Sequence, residues 1–378
     1  MRFLHTADWQ LGMTRHFLDD DAQPRYTAAR TDAVRSVGQV AEATGCELVL
    51  VCGDVFESNQ VSPRVVSRSL DALAGIHVPV YLLPGNHDPL DAASIYRSAA
   101  FAGAPENVHV LGTPGCHPVR PGVEIVAAPW SSKRPLGDTV GAVVENLPAD
   151  GVLRVVAGHG RTDLLSADAR DPARIRLADV EQALAAGSVH YVALGDRHST
   201  TDVGSTGRVW YSGTPEATDY DEVDPGNVLV VDVDLAGPPR VARHQVGRWA
   251  FRDLGAELTG RADVAALDAA LAALPDRDRC VVRLSLVGSL SLADKAVLDG
   301  VLAAHEQVLA SLSVWDKRSD LAVYVDDDAL GALGLSGFAA GAVHELARAA
   351  HGHGGDADAA QVARDALSLA FRLTGAGR

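Results

Sequence analysis

Along the N-terminal part of the chain, short apolar runs alternate with amphipathic stretches, and each apolar run breaks onto polar residues. Residues 2–7 predict a strand that ends at Thr6-Ala7-Asp8-Trp9-Gln10-Leu11-Gly12. After a polar loop over 14–24, Val34, Val37, Val40 and Ala41 recur at near-helical spacing within 25–44, and Gly45 stops the helix. Leu48-Val49-Leu50-Val51-Cys52 is a continuous apolar strand ending at Gly53-Asp54. Val66, Leu70 and Leu73 put a second helix on one face, and a third strand over 78–83 breaks at Pro84-Gly85-Asn86-His87-Asp88. Gly85 allows the backbone to turn sharply there. Strand-helix-strand-helix-strand order predicts parallel pairing, with three polar ends on one edge. That is the edge at which open α/β sheets hold ligands.

The pattern then loosens. A helical stretch is expected after Pro89, then strands near 108–111 and 123–128. The strand at 153–157 delivers Gly158-His159-Gly160, and a loop over 161–176 rich in Asp and Arg leads into a short helix. The strand at 189–194 ends at Gly195-Asp196-Arg197-His198, and strands at 209–212 and 228–233 predict a second sheet packed on the first. Gly237-Pro238-Pro239 reads as a linker between a domain over 1–237 and a smaller α/β unit over 241–325. In that unit, helices at 262–274 and 292–310 alternate with strands at 281–286 and 321–325. Residues 326–378 are expected to form a helical segment whose two helices flank His351-Gly352-His353-Gly354-Gly355, a glycine-rich connection with incidental histidines.

Composition narrows the class. A chain of 378 residues with 47% hydrophobic and 22% charged positions is globular rather than disordered or membrane-embedded. The start, Met1-Arg2-Phe3-Leu4-His5, lacks the apolar core of a signal peptide, and no run reaches the roughly 20 apolar residues of a membrane span. Cys46, Cys52, Cys116 and Cys280 show no paired spacing, which points to reduced thiols and a cytoplasmic protein with no membrane association. A formal charge of −16 excludes broad electrostatic attraction to nucleic acid. A nucleic-acid substrate would need bound cations or a partner's basic surface.

Five strand ends carry the candidate chemistry: Asp8 with Gln10, Asp54, Asn86 with His87, His159, and Asp196 with His198. Singly, each is ordinary capping or turn chemistry. Together on one edge, Asp, Asn and His make a ligand set for two hard or borderline divalent ions. Asp54 suits the bridging position, since a carboxylate can give one oxygen to each ion. Two such ions polarise a phosphoryl group for in-line attack, and a nearby imidazole can protonate the departing oxygen. Arg161 and Arg197, beside the motif histidines, are candidates for binding substrate phosphate, with solvated salt bridges as the plainer reading. Trp9 is expected in the core or site wall, and His5 and Thr6 are expected to support Asp8.

The order Asp8-x-Gln10, Gly53-Asp54, Gly85-Asn86-His87-Asp88, Gly158-His159 and Gly195-Asp196-x-His198 resembles the calcineurin-like metallophosphoesterases. More narrowly, His5-Thr6-Ala7-Asp8-Trp9, Gly53-Asp54-Val55-Phe56, Ala193-Leu194-Gly195 and Tyr211-Ser212-Gly213-Thr214-Pro215-Glu216 are similar to the Mre11/SbcD branch, the DNA double-strand-break repair nucleases. The resemblance is strong over about residues 1–235. It implies an α/β fold: a four-layer αββα sandwich with a small α/β capping domain and C-terminal helices. It assigns Asp8, Asp54 and His198 to a first metal, and Asp54, Asn86 and His159 to a second. His87 becomes the general acid.

Two positions depart from the pattern, because the family has His where this chain has Gln10 and Asp196. Gln10 offers a weaker, neutral amide oxygen, and Asp196 can still reach the second metal. Added oxygen character favours Mn²⁺, and next Mg²⁺, over Zn²⁺. The implied activity is that of a two-metal-ion DNA nuclease, an exonuclease and also an endonuclease, cutting phosphodiester bonds in DNA repair. The implied partners are DNA, an SbcC/Rad50-like ATPase and a second copy in a homodimer. The C-terminal helices would dock such a partner or cover the protein's own surface. The alternatives are a small-molecule phosphodiesterase or phosphatase of the same fold, and a degenerate DNA- or ATPase-binding subunit, which Gln10 and Asp196 motivate.

Overall fold

The computed structural model describes residues 1–166, 168, 170–324, 335–350 and 357–374, so His351 and His353 lie outside the described residues. The chain divides into two compact units, Met1–His16 with Gln23–Trp249, and Phe17–Ala22 with Ala250–Arg378.

In the first unit, β1 (Arg2–Thr6), β2 (Val49–Cys52), β3 (Val80–Leu83) and β4 (Val108–Val110) pair in parallel. Antiparallel β11 (Asn227–Asp232) and β12 (Arg240–Gln245) extend this sheet beyond β1. The second sheet runs in the order β5 (Gly115–Arg120), β6 (Val123–Ala127), β7 (Leu153–His159), β8 (Tyr191–Gly195), β10 (Val209–Tyr211), β9 (Thr201–Val203). Phe3, Leu50 and Cys52 from one sheet meet Ile125, Val155 and Tyr191 from the other in a sealed core. The alternate residues Leu4, Val49 and Val51 face α1 (Ala22–Ala43) and α2 (Pro63–Ala74). On the far side, Val156 and Val192 face α3 (Thr139–Val144) and α4 (Leu177–Ala186). The result is the four-layer αββα sandwich. It explains the continuous apolar run at 48–52, since successive side chains point to opposite faces and both faces are buried.

Local chemistry sets the element ends. Ser62 caps α2 by accepting from Val65 N, with Pro63 in the first turn. After Pro89 the structure has only short 3-10 turns, at Ile95–Arg97 and Phe101–Gly103, in place of the expected helix. There Asn59 Oδ1 accepts from Ile95 N and Asp91 Oδ1 from Ala93 N. These side-chain acceptors take amides that a helix would use. The segment Gly237-Pro238-Pro239 also differs from expectation. β12 beyond it pairs along β11 from Asp232↔Arg240 to Asn227↔Gln245, so it is a hairpin connection and the first unit runs on to Trp249.

The second unit holds β13 (Ala250–Leu258), β14 (Cys280–Ser291), β15 (Ser311–Val314) and β16 (Asp320–Tyr324), with β13, β15 and β16 each pairing in parallel with β14. With α5 (Arg261–Ala272) and α6 (Leu292–Glu306) they form an α/β layer over Leu267, Leu271, Val282 and Leu284. Two further helices, α7 (Gly337–Ala350) and α8 (Ala357–Thr374), pack on α6 through Leu292, Ala296, Val343, Ala347 and Leu367. Among the described residues no helix is long and apolar enough to cross a membrane.

Candidate metal centre

The carboxyl ends of β1, β2, β3, β7 and β8 bring the predicted residues to one edge. His159 pairs in register with Gly195 between β7 and β8, which sets these two motifs side by side. Across the sheets, His159 Nδ1 lies 2.9 Å from the carbonyl oxygen of Cys52 at the end of β2. A carbonyl can only accept, so Nδ1 carries a proton and Nε2 points at the cluster. Nε2 stands 2.7 Å from Asn86 Oδ1, 3.4 Å from Asp54 Oδ1 and 4.0 Å from Asp196 Oδ1. Asp8, Asp54 and His159 each offer a ligand atom within 4.8 Å of the others, and all three are buried. Beside them Gln10 Nε2 is 3.4 Å from His198 Nε2, while Gln10 Oε1 is buried without a hydrogen-bond partner.

Backbone strain gathers at the same place. Among the described residues, the non-glycine positions with positive φ include Asp8 (55°), Gln10 (43°), Asp54 (54°) and Asp196 (90°). The left-handed region costs an L-residue on the order of 1–3 kcal/mol, and such strain persists where surrounding structure imposes it. Gly53 precedes Asp54 at φ 92°, and a Cβ there would collide with the His159 ring. Gly195 similarly leaves room for the carbonyl of Cys52 where the sheets approach each other. Gly195→Ala is therefore expected to destabilise the protein by about 1–3 kcal/mol, read as a lower urea midpoint at unchanged slope.

The calcineurin-like phosphoesterase model matches residues 1–231. The chain belongs to this family. Its members are metal-dependent phosphoester hydrolases with a dimetal centre, and that is the class of this calcineurin-like phosphoesterase. The chain is 29% identical to the SbcD component of the nuclease SbcCD from Rhodobacter capsulatus, over 83% of this chain and 87% of the relative. It is 28% identical to the DNA double-strand break repair protein Mre11 of Archaeoglobus fulgidus, over 23% of this chain and 19% of the relative. A crystal structure of a dimetal phosphatase from Danio rerio aligns with a TM-score of 0.39 at 12% identity, covering 64% of this chain and 98% of that one.

The donor set of this calcineurin-like phosphoesterase suits divalent cations. His159 Nε2, Asn86 Oδ1 and the carboxylates of Asp8, Asp54 and Asp196 are all acceptors turned toward one another, an arrangement that requires shared protons or cations. The orphaned Gln10 oxygen has the same need, and a half-turn of the amide exchanges its two ends. Electrostatics agree. Burial pushes the Asp8 carboxyl up to about 7, against the pull of His198 and His159. Burial also opposes ionisation of Asp54 and His159, but their mutual attraction prevails, holding Asp54 below and His159 well above their usual ranges. Gln10→His, which would add a second imidazole beside His198, is expected to tighten divalent-cation binding there by on the order of tenfold, measured by isothermal titration with Mn²⁺.

Other predicted residues fall around the cluster. His87 N donates to Asp54 Oδ1 at 2.9 Å, and His87 Nδ1 lies 2.8 Å from Glu57 O. His87, Arg161 and Arg197 line a cleft of about 480 Å³ with Gln10, Asp196 and His198. Arg161 Nε bonds Asp196 Oδ2 at 3.1 Å with its side chain 63% exposed, and Arg197 Nε donates to Thr201 Oγ1. Trp9 is buried, its indole N–H donating to Thr6 Oγ1. His5 and Thr6 do not bond the Asp8 side chain. His5 contacts Tyr191 OH and Leu194 O, and burial lowers its pKa to about 3, so it is neutral. The Asp8 carboxylate instead accepts from Asp196 N at 3.0 and 3.1 Å, and its backbone is held by Gly53 O and Thr214 Oγ1.

Sequence reasoning missed three supports. Asp88 accepts from Gly85 N, Phe56 N and Tyr96 OH and so pins the turn that carries Asn86 and His87. Arg30 is buried and donates to Trp9 O, Tyr26 OH and Glu216 O behind β1. Glu222 reaches His198 from a separate loop. Asp88 closes a motif and could have been found from it, whereas Arg30 and Glu222 carry no signal in the pattern.

Proposed function

We propose that this chain is a two-metal-ion DNA nuclease with exonuclease and endonuclease activity, acting in DNA repair. Asp8, Gln10, Asp54 and His198 would hold one ion, and Asp54, Asn86, His159 and Asp196 the other, with Mn²⁺ preferred over Mg²⁺ for this oxygen-rich set. When bound, the pair supplies charge stabilisation to the phosphoryl oxygens and acidifies an attacking water. The observation that carries the reading is the convergence of Asp8, Asp54 and His159 donor atoms within 4.8 Å, with His159 Nε2 4.0 Å from Asp196, which lines a cleft together with His87 and His198. Likeness to a nuclease subunit over most of both chains, and to a DNA double-strand break repair protein over a shorter stretch, supports DNA as the substrate.

The chain's own residues do the rest. With Nδ1 tied to Glu57 O, His87 presents Nε2 toward the cleft, and Glu57 Oε1 lies 3.9 Å from Nδ1. From Nε2 the ring can hand a proton to the departing 3′ oxygen. Arg161 and Arg197 would orient flanking phosphate. The first unit, which runs on to Trp249, would be the nuclease domain and the α/β layer from Ala250 the capping domain, with 326–378 docking an SbcC/Rad50-like ATPase, and the nuclease acting as a homodimer in the cytoplasm. A basic surface from that partner would offset the charge of −16.

The test is Mn²⁺-dependent cleavage of labelled linear DNA, run beside a chromogenic bis-phosphodiester, each with and without the ATPase. Cleavage of DNA in the presence of Mn²⁺ is expected. Turnover of the chromogenic ester alone would replace DNA with a small phosphoester as substrate, a reading the acidic charge favours.

A further inference from the structure

His198 is held from behind by a carboxylate that no motif contains. Its Nδ1 lies 2.8 Å from Thr218 Oγ1 and 2.9 Å from Glu222 Oε1. The Thr218 hydroxyl donates its own proton to the same carboxylate oxygen, so toward the ring it can only accept. Thr218 N donates to Glu222 Oε2 at 2.9 Å, which occupies the second carboxylate oxygen. Both partners of Nδ1 are therefore acceptors, Nδ1 carries the proton, and the lone pair of the neutral ring is at Nε2. That nitrogen is the one beside Gln10. The Glu222 side chain is 4% exposed against 25% for His198, so this is not a screened surface pair.

We infer that Glu222 is a positioning residue for the metal site containing Gln10. It fixes the tautomer and plane of His198, and raises the basicity of Nε2 to offset the neutral amide at Gln10. The inference rests on the two-metal reading above. A carboxylate that accepts from the far nitrogen of a ligating imidazole orients the ring and strengthens its donor atom. With an amide at position 10, this site has one imidazole in its assigned set where the family pattern supplies two, so the quality of that imidazole matters more. Glu222 cannot easily serve as a ligand or substrate contact itself, since both its oxygens are engaged by Thr218 and His198.

The experiment is a Mn²⁺ titration of the full chain followed by electron paramagnetic resonance of the free ion, with no DNA present. The native protein should bind two ions. Glu222→Leu should weaken one site by about 10–100-fold and leave the other unchanged. Glu222→Gln, which keeps an acceptor without the charge, should fall between them and unfold at the native temperature when metal-free. In a His198→Ala background, Glu222→Gln should cause no further loss, because its effect passes through the ring. The inference is overturned if Glu222→Gln binds both ions as tightly as the native protein, or weakens binding equally with and without His198. Native protein that binds no Mn²⁺ removes the two-metal reading and the inference together. Native protein that binds two ions but leaves DNA intact, with Glu222→Gln weakened at one site, removes only the nuclease reading.

Discussion

Asp54→Asn is expected to lower Mn²⁺-dependent phosphodiester cleavage by at least about 10³-fold, a loss of roughly 4 kcal/mol of transition-state stabilisation. The same carboxylate oxygen accepts from His87 N at 2.9 Å and lies 3.4 Å from His159 Nε2, and the residue is 2% exposed. Asparagine keeps an acceptor for His87 N, so the turn should survive, while the metal-free thermal midpoint should fall because buried His159 loses its charged partner. What it removes is the one negative charge assigned to both ions. A titration should therefore show both Mn²⁺ sites weakened together. If only one site weakens, or cleavage stays within about tenfold of native, Asp54 does not bridge.

His87→Ala is expected to behave in the opposite way. It should lower kcat by about 10²–10⁴-fold, the usual contribution of a positioned proton donor. Mn²⁺ affinity and KM should remain near native, because the interaction lost belongs to the transition state. The structural reason is that the residue bonds the cluster through its backbone N–H, while its side chain bonds Glu57 O and is 30% exposed. Little folding energy depends on a partly exposed imidazole, so a comparable thermal midpoint is expected too. Loss of a metal ion in this variant would make His87 a ligand and not a proton donor. Compared side by side, the Asp54 and His87 variants separate holding the ions from assisting the leaving group.

Much of this site is readable in the chain. A parallel strand buried on both faces must be apolar at consecutive positions, and the chain must leave it through residues that tolerate a turn. Leu48–Cys52 followed by Gly53-Asp54, and Val155–Ala157 followed by Gly158-His159, obey that rule closely. Reading those ends in order is enough to nominate Asp8, Asp54, Asn86, His159 and Asp196, which the structure gathers around one nitrogen or its neighbours. The hairpin connection at Gly237-Pro238-Pro239 reads as a linker because Gly and Pro mark both kinds of segment alike. Only the pairing of β12 on β11 tells them apart.

Periodicity and strand-end chemistry, both local properties of the chain, determined the layered α/β class and the identity of the polar tips. Tertiary structure alone decided which face each tip turns. It forces Asp8, Asp54 and Asp196 into positive φ, orients His159 through a carbonyl from the other sheet, and brings Glu222 to His198 across 24 residues of chain. Hydrogen-bond partners of this kind are set by how the sheets and loops pack in three dimensions, and no spacing along a single strand or helix encodes them.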